Sequence, residues 1–116
     1  MSKSVRLKNN IYLDASSIKG VYTKQFLVNG TNSVSLGSIS PQNGIYDQTI
    51  TLTVPTGYTP IGMVGYQLTG QYSASVNVSR FFISGNTFTY SVFNSDTTHT
   101  TNSSTRLTLY ILYAKN

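Results

Sequence analysis

Residues 50–68 read ITLTVPTGYTPIGMVGYQL, and this stretch decides the fold. Ile50, Leu52 and Val54 alternate with Thr51 and Thr53, the period-2 signature of a half-buried strand. Pro55-Thr56-Gly57-Tyr58-Thr59-Pro60 then breaks the run with residues that fix or free φ. A second strand is expected over residues 61–68. Its Gly62 and Gly65 remove side chains from the strand, which signals a bulge or a close backbone approach. Two strands about a stiff corner place the centre of an all-β sandwich here.

Outward from that stretch the same grammar continues. Val5-Arg6-Leu7 and Ile11-Tyr12-Leu13 flank Lys8-Asn9-Asn10, which predicts a short hairpin. Asp14-Ala15-Ser16-Ser17 caps a helical turn or closes a loop on Gly20. Strands are expected over 21–28, ended by Asn29-Gly30, and over 34–39, followed by the turn Ser40-Pro41-Gln42-Asn43-Gly44. Residues 46–54 form the first half of the central pair. Residues 69–73 form a polar loop. In 75–83 the alternation through Val76 and Val78 fails at Arg80-Phe81-Phe82, because Phe81 and Phe82 cannot share a face without a bulge. Ser84-Gly85-Asn86 reads as a tight hairpin turn into a strand over 87–93, with Phe88, Tyr90 and Val92 on one face. Residues 94–104, NSDTTHTTNSS, carry no apolar side chain and read as a surface loop. The last strand, 105–114, is apolar on both faces and so belongs at a sheet centre.

Seven to nine short strands predict an all-β, two-layer antiparallel β-sandwich, jelly-roll-like, with a small closed barrel as the alternative. The domain division expected is an N-terminal arm or hairpin over 1–20 and a sandwich over 21–116. The composition agrees. Charged residues make up 9% of the 116, against about 25% in a typical chain. There is no Glu, there are 9 Tyr, and polarity is carried by Ser, Thr, Asn and Gln. Such a chain makes poor helices and good strands.

Charge and chemistry exclude several function classes. The net charge of +5 arises from scarce acids; five of the eight cations, Lys3, Arg6, Lys8, Lys19 and Lys24, lie in the first 24 residues. No groove of basic residues interleaved with aromatics follows, so no nucleic-acid partner is expected. With no cysteine, disulfides and thiol chemistry are out. No apolar run approaches the ~20 residues that span a bilayer, so no membrane insertion is expected. The N-terminus also lacks the apolar region of a signal peptide. The three acids, Asp14, Asp47 and Asp96, sit in turn contexts. His99 and Asp96 are three residues apart in a polar loop without a nucleophile elbow, and two ligands make a poor metal site. No enzyme, no metal and no cofactor are expected. Asn29-Gly30-Thr31, Asn77-Val78-Ser79 and Asn102-Ser103-Ser104 match the N-glycosylation pattern, as chance allows in so Asn-, Ser- and Thr-rich a chain.

What remains is recognition. Carbohydrate binding needs an aromatic platform beside neutral hydrogen-bonding groups. The loops offer Tyr72, Asn94, Asp96, His99 and Asn102 as ligand contacts, with Tyr58 as a further aromatic. Most other tyrosines sit at alternating strand positions that favour packing. Arg80, a charge in an apolar strand, needs a partner and is an edge or intersubunit residue. With Tyr66 and Tyr110 it forms the candidate oligomer interface.

Three segments carry a resemblance. They are 54–66 (VPTGYTPIGMVGY), 78–87 (VSRFFISGNT) and 107–113 (LTLYILY), joined by the N-terminal 5–18 (VRLKNNIYLDASSI). The chain resembles the C-terminal receptor-binding head domains of tail-fibre, baseplate or minor structural proteins of bacteriophages and prophages infecting Gram-positive bacteria. The resemblance implies a virion protein on a tail or capsid surface. It would be made in the host cytoplasm without a signal peptide and assembled as a homo-oligomer, a trimer, with other virion proteins. It would recognise host cell-surface saccharide through multivalent loop contacts. The family's binding residues follow no fixed motif, so none is carried over. Such heads normally follow a long shaft, whereas here Met1 starts almost at the domain, so a stand-alone structural protein or an excised head is expected. Two other readings stand beside it: an architectural capsid or tail decoration or adaptor protein without ligand binding, and a bacterial lectin.

Overall fold

The computed structural model describes residues 25–116 and the backbone pairing of two short N-terminal strands. β1 (Val5–Arg6) pairs antiparallel with β2 (Tyr12–Leu13), in the register Val5 opposite Leu13. The antiparallel pairing of the expected hairpin is therefore present, and its turn lies outside the described residues. The capping signal at Asp14 and the segment 21–24 lie outside the described residues.

Six further strands build two antiparallel three-stranded sheets: β3 (Phe26–Ser35), β4 (Tyr46–Thr51), β5 (Tyr58–Thr69), β6 (Val76–Ser84), β7 (Thr87–Asn94) and β8 (Arg106–Lys115). The first sheet has the order β3-β8-β5 and the second β4-β7-β6. This is a two-layer antiparallel sandwich with open edges, so the closed-barrel alternative falls. Among the described residues the sandwich has six strands.

The two central strands face each other and make the core. Leu107, Leu109, Ile111 and Tyr113 of β8 are fully buried against Phe88, Tyr90 and Val92 of β7. Burying each such side chain is worth about 1.5–3 kcal/mol. Both inward faces are the ones the alternation predicts. Ile39, Leu52, Val76 and Val78 close the remaining core.

One buried polar network ties the layers. Tyr113 Oη donates to the Thr53 carbonyl at 3.0 Å and accepts from Asn32 Nδ2 at 2.7 Å; Asn32 Oδ1 accepts from Thr53 N at 2.6 Å. Asn32 and Tyr113 belong to the first sheet, and Thr53 follows β4 of the second. Every polar atom in this link has a partner, so its burial is compensated.

The Pro55–Gly57 corner is where the chain changes layers. Gly57 takes φ 83°, and Tyr58 N donates back to the Pro55 carbonyl at 3.1 Å. β5 begins at once, three residues earlier than the sequence predicts, because Pro60 sits on an edge strand, where its missing N–H is harmless. β5 is bulged between Pro60 and Gly62 and again between Met63 and Gly65, as its glycines predict. β6 is bulged between Ser79 and Phe82, with Arg80 at φ 53°. The bulge turns Phe81 inward, its ring 5.8 Å from that of Phe88.

β3 departs from expectation. Asn29-Gly30 does not end a strand; it forms a bulge inside a single ten-residue strand, with the register against β8 shifting between Asn29 and Asn32. Tyr110 gives the reason: its ring lies where a β-carbon at residue 30 would be, so Gly30 admits a close approach rather than a turn.

Candidate functional site

Three connections meet at one end of the sandwich: 36–45 between β3 and β4, 70–75 between β5 and β6, and 95–105 between β7 and β8. The corner after β4 and the two-residue Gly85-Asn86 turn lie at the other end, where Leu52 N donates to the Asn86 carbonyl at 2.7 Å.

The loops are joined backbone to backbone. Gln42 N donates to Asn94 O at 2.9 Å, Ser95 N to Ser75 O at 2.8 Å and Thr101 N to Ile39 O at 3.1 Å. Side chains lock the arrangement. Thr101 Oγ1 accepts from Ile39 N and donates to Gly37 O, and Thr105 Oγ1 donates to Gln71 O at 2.6 Å. Within 70–75, Gly70 turns the chain at φ 88° and a short 3₁₀ turn, Ser73–Ser75, leads into β6.

The five ligand candidates are brought to this end, in different roles. Tyr72 and His99 form its centre: their rings stack with centroids 4.7 Å apart and an interplanar angle of 15°. Tyr72 holds a left-handed backbone, φ 62°, a conformation that costs an ordinary residue about 1–2 kcal/mol. Gln42, at φ 54°, is strained at the same end. His99 is set by Asp96. Asp96 Oδ1 accepts from Thr98 N at 2.8 Å and His99 N at 2.9 Å, and the carboxylate lies 3.2 Å from His99 Nδ1. The Thr98 amide first, then the His99 amide, draw the Asp96 carboxyl down to about 2.

Asp96 is thus consumed in building the loop, and it meets the imidazole at Nδ1. The His99 side chain is 54% exposed. A hydrolytic relay would need a hydroxyl at one ring nitrogen and the carboxylate at the other. Thr98 Oγ1 and Asp96 both sit at Nδ1.

Asn102 lies beside the stack. Its Nδ2 donates to Gln71 Oε1 at 3.0 Å and its Oδ1 accepts from Ser104 N at 2.9 Å. Asn94 is corrected from ligand contact to internal strut. It is fully buried, donating to Ile39 O and His99 O and accepting from Asp96 N. Tyr58 is at the far end. Sequence reasoning missed Gln42 and Gln71, which no periodicity marks.

The three interface candidates lie on three different surfaces. Tyr110 is on the outer face of the first sheet. Tyr66 sits at the seam between the sheets, its ring 5.3 Å from Phe81. Arg80 crosses the outer face of the second sheet, Nε donating to Ser91 Oγ at 2.7 Å and Nη2 to Asp47 at 3.1 Å. Its partner is thus within the chain, on an edge strand.

Among the described residues no helix is long and apolar enough to cross a membrane, and no group of three or more His, Cys, Asp or Glu is placed to hold a metal. Comparisons with protein-family models, with curated proteins and with solved structures return no match to this chain.

Proposed function

We propose that this chain is a non-catalytic recognition head of a bacteriophage virion that binds neutral saccharide on a bacterial surface through the loop end. The observation that carries the recognition is the Tyr72–His99 stack, held by a strained backbone and the Asp96 brace where three loops converge. Backbone strain of this kind clusters at functional sites. A flat ring pair offers the face that sugar C–H groups pack on. The neighbouring Gln71–Asn102 amides and the exposed imidazole supply donors and acceptors for hydroxyls. A shallow site of this kind binds weakly alone and gains from multiple copies, which fits a homo-oligomer, a trimer, on a virion. The virion assignment rests on the sequence resemblance.

The test is titration of cell-wall polysaccharide and a glycan array against the wild type, Tyr72→Ala and His99→Ala. Both substitutions are expected to weaken binding at least tenfold while the thermal transition stays close to the wild type's. Binding that neither change affects removes the site from this end. A wild type that binds no saccharide favours the architectural reading. In that reading the internal satisfaction of Asn94, Asp96 and Asn102 is the whole purpose of the loops.

A further inference from the structure

The outer face of the β3-β8-β5 sheet is ordered in rows. β8 turns Leu107, Leu109, Ile111 and Tyr113 into the core, so Arg106, Thr108, Tyr110 and Leu112 point outward. Register extends each of them across the sheet. Leu112 lies between Val28 and Gly62, Thr108 between Ser33 and Gln67, and Arg106 between Ser35 and Thr69. Tyr110 lies between two glycines: it pairs with Gly65 of β5, and its ring covers Gly30 of β3. An aromatic ring thus stands with no side chain on either flank, one row from a band of hydroxyl and amide groups.

Gly62 and Gly65 have no explanation within the chain. Glycine weakens a strand interior. Neither residue has a left-handed φ, and a β-carbon at either would meet nothing. They adjoin the bulges of β5, but a bulge of ordinary φ accepts any residue. Gly30, by contrast, is required by the Tyr110 ring. What Gly62 and Gly65 keep open is the surface above the sheet, beside Leu112 and Tyr110. Strand glycines of this kind mark the close approach of a ligand or of another backbone.

The polar rows decide between the two. Arg106 is tied to the sheet by Ser33: Nε donates to Ser33 Oγ at 3.1 Å and Nη2 to the Ser33 carbonyl at 3.2 Å. Thr108 Oγ1 donates to the same hydroxyl at 3.3 Å, and Tyr110 Oη donates to Gln67 Oε1 at 3.4 Å. The three strands contain no Asp or Glu, and among the described residues no carboxylate pairs with Arg106. The guanidinium is anchored and its charge is unanswered. An apolar protein surface packed here would bury that charge without a partner.

We infer that this face is a second binding site, for a saccharide that carries an acidic group. The C–H face of a sugar packs on the Tyr110 ring and over the cleared backbone at Gly62 and Gly65. Its hydroxyls meet Gln67 and Thr108. Its carboxylate or phosphate meets Arg106, whose guanidinium binds either oxyanion by charge-assisted hydrogen bonds. Ring and charge stand about 14 Å apart along β8, at ~3.4 Å per residue, so the ligand is an oligosaccharide rather than a single sugar. The site goes beyond the loop end and does not depend on it. It moves Tyr110 from interface candidate to ligand platform.

Calorimetric titration of the full chain tests it, in a Tyr72→Ala, His99→Ala background that removes the loop-end stack. The probes are a polyuronate, a polyglycerol phosphate and a neutral glucan. One or both acidic polymers should bind, more weakly as salt rises, and the glucan at least tenfold more weakly; the two acidic arms separate carboxylate from phosphate. Arg106→Gln should weaken binding at least tenfold. Lys115→Gln, which removes the same charge at the other end of β8, should leave it unchanged. Gly62→Val and Gly65→Val should keep or raise the thermal transition, since valine favours strands and meets nothing there, yet weaken binding at least tenfold. No binding of either acidic polymer, equal binding of the glucan, equal losses in Arg106→Gln and Lys115→Gln, or valine variants that bind undiminished would each overturn the site. So would a lowered transition in both valine variants, because β5 itself would then need the glycines. Acidic polymer bound as expected, with no neutral saccharide bound by the wild type, would leave this site standing and sink the loop-end reading instead.

Discussion

At Gly70 the chain turns with φ 88°, and a β-carbon there would overlap the carbonyl of Ser104 in the facing loop. Gly57 also has a positive φ, 83°, but its β-carbon would meet nothing. The pair separates two penalties that sequence alone cannot distinguish. Gly57→Ala meets only left-handed strain and should cost about 1–2 kcal/mol. Gly70→Ala adds a backbone clash and should cost more, about 2–4 kcal/mol, while displacing Tyr72 two residues on. Urea unfolding of the two variants checks the ranking; equal losses would mean that the loop end yields without cost. At this scale the site was half legible. Tyr72, His99 and Asp96 were readable as chemistry in a polar loop. Asn94, Thr101 and Thr105 were not, because a buried polar residue whose hydrogen bonds are satisfied has the same letter as an exposed one.

Among the elements, the bulges of β5 and β6 were legible because each breaks a rule of alternation: glycine in a strand, and two adjacent phenylalanines. The bulge of β3 was not. Asn29-Gly30 has the letters of a turn, and only the Tyr110 ring from β8 shows why glycine is there. The loop of 95–105 is the element that Asp96 organises. Its carboxylate accepts the Thr98 and His99 amides, and these charge-assisted bonds are strongest for the ionised form. With its folded pKa drawn down to about 2 from an ordinary 3.8, Asp96 stabilises the loop fully above pH ~4. That contribution is lost as the pH falls toward 2. The Thr98 and His99 amides should therefore lose protection over pH 4 to 2, before the β7 and β8 amides open, and the saccharide binding proposed for this end should fall with them. Asp96→Asn should show weakened loop protection already at neutral pH and remove this acid transition; a transition retained in Asp96→Asn would assign it to another group.

For the whole molecule, two layers and their facing surfaces followed from period-2 alternation in β7 and β8, since hydrophobic alternation reports which face is dry. How the strands divide between sheets did not follow, because pairing over long separations leaves no local mark. The same central strands set the response to alkali. Tyr90 of β7 is pushed up to about 12, first by burial and second by the nearby Tyr46. Tyr113 of β8 is raised by burial, opposed in part by the hydrogen bond from Asn32. Below pH ~10 both phenols are protonated in the folded and unfolded chain alike, and their contribution to stability is complete. Above it the unfolded chain releases protons that the folded chain holds, so the equilibrium moves toward unfolding until the Tyr90 phenol also ionises in the folded chain near pH 12. Denaturant midpoints should therefore be level from pH 8 to about 9.5 and fall steeply beyond. Tyr90→Phe, which keeps the ring and removes the titrating hydroxyl, should flatten part of that fall. Tyr113→Phe should flatten part of it too, but at neutral pH it strands Asn32 Nδ2 and the Thr53 carbonyl and so begins about 1–3 kcal/mol less stable. If both variants fall with the wild-type slope, alkaline unfolding starts elsewhere than in the core.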